Sequence, residues 1–242
     1  WEVEFYHSSW REAFEKLNVN NNIKLVTYAP ENDENFEFSK YLKSKNVIPS
    51  VGHSAANCDE TNEAIKNGLS NFTHFHNAST GHHHRNPGVV TSGLMNKNIA
   101  VEMIVDGIHL HPDVVKATYN IKGAENIILI TDSMRAKGCA DGIYDLGGQE
   151  VVKKGGEARL KDGTLAGSVL EMNSAIKNMI KFSGCSESEA FLMASYNPAK
   201  RLGLETKGMI KENNDFDITL LDKDFNVIQV YIKGELKYER GQ

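Results

Sequence analysis

The sequence is short of several things, and each shortage removes a class of function. It has only three cysteines, Cys58, Cys139 and Cys185, in 242 residues. An odd number at wide spacing excludes a disulfide framework and suits a reducing compartment, so a cytoplasmic location is expected. Lys and Arg number 27 against 32 Asp and Glu, for a formal charge of −5. With no basic run, a nucleic-acid partner is not expected. No apolar stretch approaches the roughly 20 residues of a membrane span, so a soluble chain with no membrane partner is expected. Internal repeats and low-complexity segments are absent. The first residue is Trp1 and no signal sequence precedes it, which points to processing or to part of a longer gene product. The length and a hydrophobic share of 40% still suffice for a sizeable core, as one large domain or two small ones.

What the sequence has in excess is histidine in one place. Of nine histidines, eight lie between His53 and His111. A quarter of the chain therefore holds nearly all the groups best suited to binding metal near neutral pH.

Apolar runs at 23–29, 47–52, 69–75, 99–105 and 127–131 read as strands. Pro49 is an awkward interior residue for the second. Helical patterns separate them, one over 33–44, one capped by Asn57 with Glu60 and stopped at Gly68, one opened by Pro112 and closed by Gly123. Strand and helix in alternation predict a parallel sheet with helical crossovers. Glycine pairs break this rhythm over 145–163, where short β pieces are expected. Two helices follow, with capping boxes Ser168/Glu171 and Ser186/Glu189, the first carrying an apolar stripe of Met172, Ala175, Ile176, Met179 and Ile180, the second ending at Asn197-Pro198. From about Gly208 the texture is all β, which gives a division into a barrel-type domain over 1–205 and strands of a β-sandwich over 206–242.

Polar groups cluster where strands end. His53 follows the second strand, His74 and Asn77 end the third, Asp106 and His109 follow the fourth, and Asp132 ends the fifth. In an α/β barrel these ends share one rim, where active sites form. A metal that activates water needs neutral imidazoles, carboxylates, an open position and a base. Each residue also has a plain structural use: a strand-end histidine commonly hydrogen-bonds, Asp132 can cap the next loop, and His82-His83-His84 can be a solvated loop.

The blocks Gly52-His53-Ser54-Ala55-Ala56, Thr73-His74-Phe75-His76-Asn77-Ala78, His83-His84-Arg85-Asn86-Pro87-Gly88, Asp106-Gly107-Ile108-His109, Thr131-Asp132-Ser133-Met134 and Leu165-Ala166-Gly167-Ser168, in that order, resemble N-acetylglucosamine-6-phosphate deacetylases. The likeness runs on through Asn197-Pro198-Ala199 to the closing segment. It implies a metal-dependent amidohydrolase, with a (β/α)8 TIM barrel and a small β-sandwich built from both chain ends. It implies that His53 and His74 bind the metal, that Asp132 is the general base and acid, and that His109 meets the sugar and the acetyl carbonyl. Asn77 and the Ala78 backbone would hold the sugar phosphate, joined by Arg85 from the neighbouring subunit of a homodimer. The implied reaction releases acetate and glucosamine 6-phosphate, with one or two divalent ions per subunit, Zn²⁺ or Fe²⁺.

The chain departs from that pattern. Phe75 and His76 stand where familiar members have leucine and an aromatic residue, and a methionine expected near Ser79 is missing. The upstream Glu-Gly-Pro that supplies a metal-binding glutamate, and a first-strand His-x-His, are also missing. Five barrel-type strands where closure needs eight predict the carboxyl-terminal part of such an enzyme, unstable and inactive by itself. Two rivals stand beside this reading: an amidohydrolase acting on another N-acyl or cyclic amide, and a non-catalytic sugar-phosphate or metal-binding protein.

Overall fold

The computed structural model describes residues 10–241; Trp1, and with it the expectation about the chain's beginning, lies outside them. One compact unit ends at Glu102 and a second begins at Met103. No helix among the described residues is long and apolar enough to cross a membrane.

A parallel sheet runs in the order β1 (Leu25–Tyr28), β2 (Ile48–Val51), β3 (Asn71–Phe72), β4 (Ala100–Ile104), β5 (Ile127–Ile130). Sequential strands lie side by side, as helical crossovers dictate. In the first unit α1 (Trp10–Leu17) and α2 (Glu37–Ser44) bury Phe14, Leu42 and Val47 with Ile23, Val26, Phe38 and Tyr41. The segment before α2 is not helical throughout: Asn35 and Phe36 have φ of 54° and 56°, so the expected helix over 33–44 shortens to Glu37–Ser44. α3 (Cys58–Lys66) starts at the reciprocal Asn57/Glu60 box, and α4 (Val89–Met95) follows β3.

Pro49 does lie inside β2, opposite Val26. Its neighbour Ile48 donates to Lys24 on the β1 side, so Pro49 faces β3, where its carbonyl accepts from Ser70. It holds the first β3-facing position, before β3 begins at Asn71, and no ladder donor is lost. The third strand is far shorter than 69–75, because positive φ at His74 and His76 turns the chain.

In the second unit α5 (Pro112–Lys122) ends at Gly123 as expected. An antiparallel sheet of β6 (Gly142–Leu146), β7 (Gln149–Lys154) and β8 (Glu157–Leu160) buries Val151 and Ala158 against Met134, Ala136 and Ala166. α6 (Met172–Ser183) buries Ala175, Ile176 and Met179 of the expected stripe, while Met172 and Ile180 are half-buried. Its cap is different: Glu171 is the N-cap, and Ser168 instead donates to the Thr131 carbonyl and accepts from Leu170. The Ser186/Glu189 box does open α7 (Glu187–Phe191). Asn197-Pro198 does not end this helix. A π-helical turn leads into α8 (Asn197–Arg201), with Pro198 in its first turn, where no N–H is missed. The tail forms the antiparallel sheet β9 (Ile218–Leu221), β10 (Val227–Ile232), β11 (Glu235–Glu239). Leu220, Ile232, Leu236 and Tyr238 in it stay exposed.

Candidate active site

Strand ends in the first unit carry the strained backbone. His53 (φ 50°), His74 (φ 31°), His76 (φ 79°) and Ala78 (φ 44°) are all left-handed without being glycine. Each such residue costs on the order of 1–3 kcal/mol and persists only where its surroundings over-determine it. The result is a close imidazole pair: His53 Nε2 lies 2.9 Å from His74 Nε2, with the rings near perpendicular at 80°. His74 is buried and His53 is exposed. One ring donates its Nε2–H to the lone pair of the other, so two ring nitrogens point at one proton.

A row of polar side chains crosses the strands behind this pair. Thr73 Oγ1 meets Thr27 Oγ1 at 2.8 Å and Ser50 Oγ at 2.6 Å. Asn71 Nδ2 donates to Ser50 Oγ at 3.0 Å and to Glu102 Oε1 at 2.9 Å. Gly52 is required for this closeness, since a Cβ there would lie 2.7 Å from Thr27 Cγ2 and 3.5 Å from His74 Cε1.

The loops after β2 and β3 are stitched together. Ser54 N–H donates to the Ala78 carbonyl at 3.1 Å, and Thr80 N–H to the Ser54 carbonyl at 3.3 Å. Glu31, in the turn after β1, accepts from Ser54 Oγ at 2.7 Å and from the Ala55 N–H at 2.5 Å. Asn77 Nδ2 donates to the His74 carbonyl at 3.1 Å and, at 3.4 Å, to that of Phe75. His76 packs against the Phe75 ring at 4.4 Å, and burial pulls its pKa down to about 4, leaving it neutral at pH 7. Arg85 is exposed in the 81–86 loop, where its N–H and that of Asn86 donate to His83 Nδ1.

In the second unit the Asp106 carboxylate anchors His109. Asp106 Oδ2 accepts from His109 Nδ1 at 2.6 Å, and Oδ1 accepts from the backbone N–H groups of Ile108 and His109, both at 2.8 Å. Both side chains are nearly sealed, 7% exposed for His109 and 9% for Asp106. Burial pushes the Asp106 carboxyl up, but the bonds from the His109 ring and the two N–H groups together outweigh it and hold the pKa below the ordinary aspartate value. The ionised carboxylate therefore stabilises the fold above that value, and its contribution disappears as pH falls through the lowered one. Asp106→Asn is expected to flatten the acid limb of a stability–pH curve measured by urea unfolding; an unchanged acid limb would contradict it.

Asp132, also left-handed (φ 49°) and exposed, lies in the loop just beyond β5. Its carbonyl accepts from Ser168 N–H at 2.7 Å, and Ser168 Oγ donates to the Thr131 carbonyl. Gly167, at φ 62°, is needed there, because a Cβ would sit 3.1 Å from the Asp132 carbonyl.

The donor set can be tested against a metal ion. Two ligands of a tetrahedral ion at about 2.05 Å stand roughly 3.3 Å apart, so the His53–His74 pair needs to open by only a few tenths of an ångström. Neutral imidazole nitrogens are suitable donors for such an ion. The pair fits as part of a coordination shell: among the described residues no group of three or more His, Cys, Asp or Glu is placed to hold an ion.

The expected site residues thus fall in two sets, His53, His74, Asn77, Ala78 and Arg85 in the first unit, His109 and Asp132 in the second. Sequence reasoning gave no role to Asp106 and overlooked Glu31. Both are strand-end carboxylates, the same signal that singled out Asp132.

The chain is 42% identical over 217 residues to N-acetylglucosamine-6-phosphate deacetylase of Bacillus subtilis (strain 168), covering 89% of this chain and 55% of that protein. It is 39% identical over 215 residues to N-acetylgalactosamine-6-phosphate deacetylase of Escherichia coli O157:H7, covering 88% and 57%. The crystal structure of N-acetylglucosamine-6-phosphate deacetylase from Thermotoga maritima superposes with a TM-score of 0.89 at 39% identity, over 96% of this chain and 63% of that one. The chain thus spans little more than half the length of the curated relatives it matches. The parallel sheet and the closing antiparallel sheet correspond to a partial (β/α) barrel with strands of a β-sandwich, as the resemblance implied. With the Amidohydrolase family pattern matching residues 13–237, the chain belongs to the amidohydrolase family.

Proposed function

We propose that the protein carrying this chain hydrolyses the acetamide of N-acetylglucosamine 6-phosphate, releasing acetate and glucosamine 6-phosphate. The observation that supports this most is the His53–His74 pair, two ring nitrogens sharing one proton where a cation fits. Relatives with deacetylase names point the same way. A divalent ion, Zn²⁺ or Fe²⁺, would be held by His53 and His74 with ligands from elsewhere, one or two ions per subunit, and when bound it supplies Lewis acidity and a water of lowered pKa.

The chain's own residues do the rest in this reading. Asp132 takes a proton from the attacking water on a carboxylate oxygen and gives it to the leaving nitrogen. His109, with Nδ1–H committed to Asp106, keeps Nε2 for substrate. That atom accepts from a sugar hydroxyl when the ring is neutral and donates to the carbonyl oxygen when it is protonated. Asn77 holds phosphate oxygen through Nδ2 after releasing its longer bond to Phe75, and Ala78 through its backbone N–H. Arg85, exposed on its loop, reaches the phosphate of a partner subunit in a homodimer, where a guanidinium fork suits the charge. The division into a barrel domain over 1–205 and sandwich strands over 206–242 and a cytoplasmic location belong to the same proposal.

The galactosamine-type relative makes the C4 epimer the nearest competing substrate. Comparing kcat/KM of the full-length protein on N-acetylglucosamine with and without the 6-phosphate, and on N-acetylgalactosamine 6-phosphate, tests the reading. At least about a 100-fold preference for the phosphorylated glucosamine sugar over its unphosphorylated form is expected, given 1.4 kcal/mol per factor of ten and several charge-assisted bonds to phosphate. Equal rates with and without phosphate would reject the phosphate assignment, and a preference for the galactosamine sugar would replace the substrate.

A further inference from the structure

We propose that Glu31 is a positioning residue for the His53 imidazole, acting through the backbone of the loop after β2. The proposal rests on the reading of His53 as a metal ligand for its consequence, but its geometry stands by itself. His53 is held left-handed at φ 50°, an uncommon conformation for a residue other than glycine and one that its surroundings must hold. The two residues that follow it are clamped from outside the loop by one carboxylate. Glu31 Oε2 accepts from Ser54 Oγ at 2.7 Å while Oε1 accepts from the Ala55 N–H at 2.5 Å. Ser54 Oγ in turn accepts from the Ala56 N–H at 3.1 Å, so the carboxylate orders three successive residues.

The far side of the same loop is tied to the segment after β3. Ser54 exchanges backbone bonds with Ala78 and Thr80, and Thr80 Oγ1 donates to the Ala56 carbonyl at 2.5 Å. The loop that carries His53 is thus gripped on two sides, by the segment after β3 and by Glu31. Of these, only Glu31 brings a charge. It reaches from the turn after β1, so three consecutive strand ends are fixed relative to one another. A charge-assisted bond to a backbone N–H is among the stronger of its kind, which suits a clamp that must hold strained backbone. Metal sites are sensitive to such supports: losing an outer partner typically costs 10–100-fold in metal affinity.

The test uses Glu31→Ala, Glu31→Gln and Ser54→Ala, with Val47→Ala, a buried change in the same unit, as a control for lost stability. Co²⁺ affinity is titrated optically on the full-length protein, and the His53 and His74 ring nitrogen shifts are read by NMR without metal. Glu31→Ala is expected to weaken Co²⁺ at least about 10-fold and to return both rings to the shifts of independent imidazoles. Glu31→Gln, whose carbonyl accepts from Ala55 N–H while its amide donates to Ser54 Oγ, keeps both contacts without the charge and is expected to recover most, not all, of both readouts. Ser54→Ala removes one of the two bonds and is expected to fall between. Val47→Ala should lower the melting temperature and leave both readouts intact. The proposal is overturned if Glu31→Ala keeps the parent affinity and ring shifts, or if Val47→Ala alters them equally. A parent protein that binds no Co²⁺ would reject the metal reading, and the metal-free ring shifts would then decide the role of Glu31.

Discussion

Replacing His74 by Ala is expected to weaken divalent-metal binding by at least about 100-fold, since loss of an outer partner already costs up to that much and loss of a ligand no less. His74 is the buried member of the pair, held in place where β3 ends and the chain turns, with the polar row of Thr73, Ser50 and Asn71 behind it. His53 is the exposed member, so removing His74 takes away the fixed point of the pair. His53, mobile without its buried partner, would then share the ion only with the ligands from elsewhere. Co²⁺ or Zn²⁺ titration of the full-length protein measures this, and a variant that binds within a few-fold of the parent would remove His74 from the metal site.

Replacing Asp132 by Asn is expected to lower kcat by about 10²–10⁴-fold, the range for losing a positioned acid–base group. The metal content and KM should stay near the parent values. The substitution isolates the proton transfer, because Asn is among the few residues that tolerate left-handed backbone, so φ of 49° is not disturbed. The bond that holds this turn runs from Ser168 N–H to the Asp132 main-chain carbonyl, which the substitution leaves in place. A falling kcat with metal retained therefore points to the carboxylate itself. Retained turnover would exclude Asp132 as base, and lost metal would recast it as a ligand.

The sequence carried the fold's order well, because apolar runs and helix caps are local signals. Asn57/Glu60, Pro112, Gly123 and Ser186/Glu189 each mark a helix boundary that the structure shares. Misreadings arose where tertiary demands outbid local ones. Ser168 has the spacing of a capping residue, yet its hydroxyl serves the Thr131 carbonyl at the end of β5. The run over 69–75 reads as one strand, yet His74 and His76 turn it, and the turn is what aims His74 at His53. Strain of this kind is invisible to periodicity, since it depends on contacts with loops far along the chain. Glu31 illustrates the same limit: its partners Ser54 and Ala55 are more than twenty residues away.

The histidines show the same limit. A compositional skew identified the region, but only geometry separates the ring pair from the exposed 82–84 run. His53 and His74 converge on one point, whereas His83 serves the N–H groups of Arg85 and Asn86 and stacks 4.5 Å from His84.

The proposed activity is metal-dependent hydrolysis of the acetamide of a 6-phosphorylated amino sugar. The most direct test strips the full-length protein with a chelator, confirms the loss of bound metal, and follows acetate release from N-acetylglucosamine 6-phosphate before and after Zn²⁺ or Fe²⁺ is returned. Turnover is expected to fall by at least about 100-fold on stripping, consistent with the several kcal/mol that Lewis-acid stabilisation contributes, and to return with either ion. Turnover that persists unchanged in metal-free protein would contradict it.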